Sequence, residues 1–268
     1  MGSVVSGLVI YPVKSLAGIQ LESAQVNSKG LSLDRRWMLV DPSGQMVTQR
    51  THPLLSQIQT KLEDRELSVV IENVSLSVPA PVGEELTVKV WGDSVSARRV
   101  GGDISKKISS YVREELELVW MGEQTIRPVE SRPGTENKEV GFADGFPFLV
   151  ISQASLDDLN ARLSQPVTMN RFRPNIVVSN TAAFEEDTWK RFSIGSIEFT
   201  HVKPCARCVM TTVDPSNGLK GKEPLRTLGQ FRRSDGEVFF GQNAVHQGTG
   251  TISVGDGVQV FESQGAVI

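Results

Sequence analysis

Short β-rich runs, closely punctuated by turn residues, dominate residues 4–100 and most constrain what this half of the chain can form. Residues 7–11, 25–27 and 37–40 are too short for stable helices and lack a 3.6-residue apolar period. The last run passes through Asp41-Pro42-Ser43-Gly44 into 45–48, a hairpin signal, and 67–71 and 74–78 can pair across Glu72-Asn73. The expectation is a small barrel or sandwich.

The period changes after residue 100. Ile104, Ile108, Val112 and Leu116 lie four apart with polar residues between, which predicts an amphipathic helix over 103–116, opened by Gly101-Gly102-Asp103. The following stretch MGEQTIRPVESRPGTENKEVG, 121–141, is polar and rich in Pro and Gly, and reads as a long loop at a domain boundary near residue 120. Residues 148–151 read as a buried strand, with Ser152 as the N-cap of a helix carrying Leu156, Leu159 and Leu163 on one face. Further β runs are expected at 175–178, 194–202, 209–213, 237–240 and 251–261. The fold class is therefore mainly β with some α, an α+β protein in two domains, 1–120 and 121–268.

With 28 basic and 31 acidic side chains, a net charge of −3, the chain has no general attraction for nucleic acid or acidic membranes. No window reaches the roughly 18 apolar residues of a membrane span, and MGSVVSGLVIYP lacks the features of a signal peptide. These features lead to the expectation of a cytoplasmic protein without nucleic-acid or membrane partners. Any anion has to be bound by locally gathered cations.

The only two cysteines lie together in KPCARCVMTTVD, 203–214. Four readings are open. A zinc site needs four ligands, and His52, His201 and His246 are the only histidines. A redox dithiol is expected to open a helix, whereas Val209 to Val213 favours a strand. Both thiols can be small buried hydrophobes. A thiolate favoured by Lys203 and Arg207 can instead complete a metal held by other sulfur donors.

PCARCVMTTVDPSNG and RFRPNIVV resemble the MOSC domain of molybdenum-cofactor proteins. YPVKS, 11–15, and LDRRWMLVD, 33–41, resemble the β-barrel domain that precedes it in YcbX-like proteins and the mitochondrial amidoxime-reducing component family. With FADGFPFLVIS, EPLRTLGQFRR and FGQNAV, these motifs run in family order along nearly the whole chain. The resemblance implies an N-terminal MOSC-associated β-barrel domain at 1–120 and a MOSC β-barrel domain with a few helices at 121–268.

In that family molybdopterin supplies two sulfurs to molybdenum and a protein cysteine a third. The second cysteine of the motif matches the ligand, Cys208, which is then both metal ligand and catalytic residue; Cys205 is a neighbour. The resemblance places cofactor-binding groups at Lys14, Ser15, Arg35, Asp144, Arg173 and Asn175. An Arg fork suits phosphate because it can donate two hydrogen bonds at once. Asp214 can orient a donor near the pterin but is better read as beginning a turn, and Gln242 and Asn243 can contact the cofactor or merely end a strand; none of the three is assigned to the site.

The implied activity is that of a molybdenum-dependent oxidoreductase reducing N-hydroxylated compounds such as hydroxylaminopurines and amidoximes. YcbX-like proteins commonly carry a C-terminal ferredoxin domain, whose cluster needs four cysteines; no cysteine follows Cys208 here. Electrons are thus expected from a separate flavin reductase or ferredoxin-type protein. The alternatives are a non-catalytic carrier of molybdenum cofactor or sulfur, and a thiol or zinc protein.

Overall fold

The computed structural model describes residues 2–64 and 66–266. Among these, the largest sheet has nine strands. Its path runs Val258–Ser263, Trp189–Ile194, Ile197–Ala206, Glu237–Gln247, Phe148–Ser152, Ile176–Ser179, Val4–Ile10 and Ile19–Leu21, with Arg233–Ser234 paired to Glu237–Gln247. Neighbours are antiparallel except Phe148–Ser152 and Ile176–Ser179, which run parallel around the helix Gln153–Arg162.

The central strand shows why its sequence is continuously apolar. Phe148 and Val150 point to a core with Val5, Ile176, Phe192 and Phe199, whereas Leu149 and Ile151 face Leu156, Leu159, Phe172 and Phe240 beneath the helix. A strand buried on both faces has no use for polar alternation. Each large side chain removed from water in this way contributes about 1.5–3 kcal/mol. Ser152 then ends the strand and caps the helix, its Oγ accepting the Ser155 N–H at 3.0 Å.

The remaining N-terminal elements form smaller sheets. Trp37–Val40, Glu117–Trp120, Asp93–Val100 and Pro81–Val90 make one, and Gln59–Glu63, Glu66–Ile71 and Val74–Ser77 another. The expected hairpin turn at Glu72-Asn73 is present, with both residues at positive φ, 49° and 65°. The helix Ile104–Val112 buries Ile104 and Ile108 against the core of this region. It is shorter than the periodicity predicts: Arg113 adopts the left-handed conformation, and Ser109 Oγ ties down Leu116 N–H at 2.9 Å, turning the chain into the next strand.

Two further differences come from local competition and long-range pairing. Residues 209–213 are not a strand. Val209–Thr212 is a 3₁₀ turn, in which Thr211 Oγ and Thr212 Oγ donate to the Cys208 and Val209 carbonyls at 3.0 and 2.8 Å. The proposed division near residue 120 separates chain segments but not sheets: Val4–Ile10 pairs with Ile176–Ser179, and Ser23–Asn27 with Gly250–Ser253. The N-terminal strand satisfies its backbone groups on the edge left open by the second half of the chain.

Candidate functional site

The segments bearing YPVKS and LDRRW are joined by backbone hydrogen bonds. Arg35 N–H donates to Tyr11 C=O at 2.9 Å, Trp37 N–H to Pro12 C=O at 3.0 Å and Lys14 N–H to Trp37 C=O at 2.8 Å. Asp34 completes the join by accepting the Tyr11 N–H at 2.8 Å. Gly141 lets a third segment approach. A Cβ there would lie 2.7 Å from the Arg35 carbonyl oxygen, the atom that accepts the Phe142 N–H.

Ser15, Arg35 and Arg173 have φ of 71°, 47° and 58°. A non-glycine residue held there costs on the order of 1–3 kcal/mol, and such conformations concentrate where a site needs them. All three line one cavity of about 870 Å³, open mouth included. Lys14, Asp144, Asn175 and Cys208 line it too, so all seven residues singled out from sequence meet in one place. Arg50, Arg171 and Arg207 join them.

Six cationic side chains and a single carboxylate thus line a cavity in a protein of net charge −3. Arg35 donates to Asp34 at 2.7 Å, to the Asn175 side-chain oxygen at 3.0 Å and to the Arg173 carbonyl at 3.2 Å. Arg173 donates to the Leu16 carbonyl at 2.8 Å. Burial pulls the Arg173 guanidinium down to about 10, reinforced by the Arg35 charge and opposed by Tyr11 and nearby carboxylates. Lys14 is likewise lowered by burial, although Asp144, 2.5 Å away, opposes this. Burial would raise the Asp144 carboxyl, but the Lys14 and Arg50 charges outweigh it and hold the group well below the usual carboxylate range.

Asn175 bridges the segments: its amide donates to Val9 C=O at 3.2 Å and accepts from Arg35 and Leu149 N–H. Cys208, half-buried, begins the 3₁₀ turn on the cavity wall. Cys205 packs against the core around Leu149 and accepts from Arg207 Nη1 at 2.9 Å. Lys203 pairs with Glu130 at 2.9 Å. His201 and His246 are core residues, His201 tilted against Phe192 at 4.8 Å and His246 edge-on to Phe148 at 5.4 Å.

Sequence reasoning missed Arg50 and Arg171 as parts of this cavity. Arg171 ends the 3₁₀ turn Met169–Arg171 just before the left-handed Arg173, so no strand or helix period marked it. Arg50 carried no signal either. Asp214 caps its turn, accepting from Ser216 N–H at 2.9 Å, and also pairs with Arg171 at 3.0 Å. Gln242 donates to buried Asp187 at 2.6 Å, whereas Asn243 reaches the cavity wall.

The lining suits a phosphate-bearing cofactor that carries its own sulfur ligands. Ser15 Oγ, Arg50 Nη1 and Arg207 Nε are buried without a partner, leaving donors that an anionic group can satisfy. Among the described residues no three of His, Cys, Asp and Glu gather to hold a metal ion, so a metal at Cys208 needs ligands from outside the chain. Within the same residues no helix is long and apolar enough to cross a membrane.

Two family models match separate stretches of the chain. Residues 2–115 match the MOSC N-terminal beta barrel domain and 137–259 the MOSC domain. The chain is 36% identical to mitochondrial amidoxime-reducing component 1 of Mus musculus, over 96% of this chain and 82% of that protein. It is 35% identical to mitochondrial amidoxime reducing component 2 of Rattus norvegicus, over 95% and 82%. The chain belongs to the MOSC-domain family that includes these proteins. The YUAD protein from Bacillus subtilis shares 11% identity over 98% of each chain at a TM-score of 0.48, a likeness too slight to argue from.

These relatives overturn the cytoplasmic expectation, because they are named mitochondrial and so point to that compartment instead. Surface composition and the want of a secretory pattern do not distinguish one aqueous compartment from another.

Proposed function

We propose that this protein is a molybdenum-cofactor-dependent oxidoreductase that reduces N-hydroxylated compounds, hydroxylaminopurines or amidoximes, with electrons from a separate flavin reductase or ferredoxin-type donor. The observation that carries the proposal is the meeting of Cys208 with Lys14, Ser15, Arg35 and Arg173 at one cationic cavity. The relatives' name, amidoxime-reducing component, supports the substrate class.

When bound, the molybdenum cofactor would supply, through its metal, the two-electron chemistry that cleaves an N–O bond. Cys208 provides the protein's sulfur ligand. Arg35 and Arg173, braced by Asn175 and Leu16 C=O, hold the anionic part of the cofactor, and the unpartnered Ser15 hydroxyl donates to it. Asp144 keeps the buried Lys14 in place in the cavity wall. His201 and His246 are too enclosed in the core to serve as proton donors to a substrate.

The test is expression in a host able to make the cofactor, followed by molybdenum and zinc analysis, pterin fluorescence and assay with a reduced viologen dye. The expected result is near-stoichiometric molybdenum with pterin and dye oxidation dependent on an N-hydroxylated substrate. Zinc without pterin would sink the proposal, and cofactor without turnover would favour the carrier.

A further inference from the structure

Trp91 is placed where local preference argues against it. It occupies the tip of the hairpin Pro81–Val90 and Asp93–Val100, in a two-residue turn with Gly92, at φ 55°. Asn or Asp favours such a position, and a bulky aromatic pays for it in strain. Nor does burial compensate, since 49% of Trp91 remains exposed. A residue that breaks the local rule and gains no core contact points to function.

The tip touches two residues of the cavity lining. Trp91 Nε1–H donates to Asp144 Oδ1 at 3.3 Å, and the Arg50 guanidinium stacks over the indole, 4.4 Å from its centroid. Both partners line the cavity. Asp93, beside the turn, pairs at 2.9 Å with buried Arg127. Arg127 also donates to the Gly141 and Ala143 carbonyls at 2.8 and 2.6 Å, on the loop that bears Asp144. The indole is therefore tied to two lining residues, Asp144 and Arg50, while about half of the residue's surface stays open.

We infer that Trp91 is a specificity-determining residue of this site, offering its open indole surface as a stacking platform for flat, conjugated N-hydroxylated substrates. The inference rests on the proposed function and names the substrate class within it. A purine or aryl ring stacks on an indole through dispersion and electrostatics that a small aliphatic amidoxime lacks. The site accordingly favours planar substrates by KM rather than by kcat.

The experiment compares cofactor-loaded wild type, Trp91→Phe and Trp91→Ala, matched for molybdenum content, with a hydroxylaminopurine and a small aliphatic amidoxime and a reduced viologen dye as donor. Trp91→Ala should raise KM for the purine about tenfold, and that for the aliphatic compound by no more than about twofold, with Trp91→Phe close to wild type for both. Equal losses on the two substrates, or an unchanged purine KM, overturn the inference. Equilibrium dialysis with adenine needs no turnover: weaker binding to Trp91→Ala supports the platform, and equal binding refutes it. Failure of the wild type to turn over either substrate overturns the functional proposal alone, and the dialysis then decides the role of Trp91.

Discussion

The Arg173 guanidinium lies 4.1 Å from the centroid of the Tyr11 ring, joining the first apolar strand of the chain to a loop more than 150 residues later. Arg35 stacks on the same ring at 4.3 Å, and the Tyr11 hydroxyl donates to Pro174 C=O at 3.2 Å. Burial drives the Tyr11 phenol up to about 12, the two guanidinium charges opposing it, so the ring stays neutral. Two like charges are thus held near one aromatic ring, an arrangement that an anionic group close to both relieves.

Arg173→Ala should therefore lower molybdenum and pterin occupancy more than it lowers stability. Loss of one cation–π contact and one hydrogen bond costs about 1–2 kcal/mol of folding. Occupancy should fall several-fold. Metal analysis alongside thermal melting checks this, and full occupancy in the variant would remove Arg173 from the site.

Cys208→Ala should abolish molybdenum-dependent activity, whereas Cys205→Ala should leave most of it. The asymmetry follows from the motif resemblance, since both cysteines line the cavity; Cys205 also packs on the Leu149 core and accepts from Arg207, and its loss costs about 1 kcal/mol of stability. Dye oxidation per molybdenum in the two variants is the measurement. Equal loss from both, with folding intact, would mean that the pair works as a dithiol.

His201 gives the fold an acid-sensitive point. Desolvation by burial holds its imidazole down to about 3, against about 6.5 when unfolded, despite a hydrogen bond with Trp189 C=O. The native state keeps the ring neutral, so below pH 6.5 only the unfolded chain gains the proton. Stability consequently falls as pH drops from about 6.5 toward 3, by about 3 kcal/mol at pH 4 from this group. Urea unfolding of wild type and His201→Phe at pH 7 and pH 4 should show a smaller acid loss in the variant; parallel losses would refute the assignment.

Gly241→Ala should destabilise the large sheet by about 2–4 kcal/mol. Gly241 has φ 80°, and a Cβ there would sit 2.5 Å from Ile151 Cγ1 and 2.9 Å from Val150 C=O. Ile151 is fully enclosed, and the backbone oxygen cannot swing away. Chemical denaturation measures the loss, and a near-neutral value would show that the strand relaxes around the added methyl.

Alternation, turn residues and helix period were enough to indicate the α+β class, the strand Phe148–Ser152 with its Ser152 cap, and the hairpin about Glu72-Asn73, because each depends on neighbours within a few residues. Less was legible where local signals conflicted with the fold. The Val209 to Val213 run has strand composition, but its threonine hydroxyls bond backward into a turn.

For the site, the motif resemblance picked out residues that share one cavity, while the chain alone named neither Arg50 nor Trp91 as part of its surroundings. An isolated Arg, or a Trp beside a Gly, has no period or spacing to mark it. Its meaning comes from segments that meet only when the sheets form. The sequence by itself determined which elements exist and which residue types are available to the site. The tertiary structure decided which charges share a cavity, because pairing Val4–Ile10 with Ile176–Ser179 satisfies backbone hydrogen bonds and brings Tyr11, Lys14 and Ser15 to the same place as Arg173, Cys208 and Asp144.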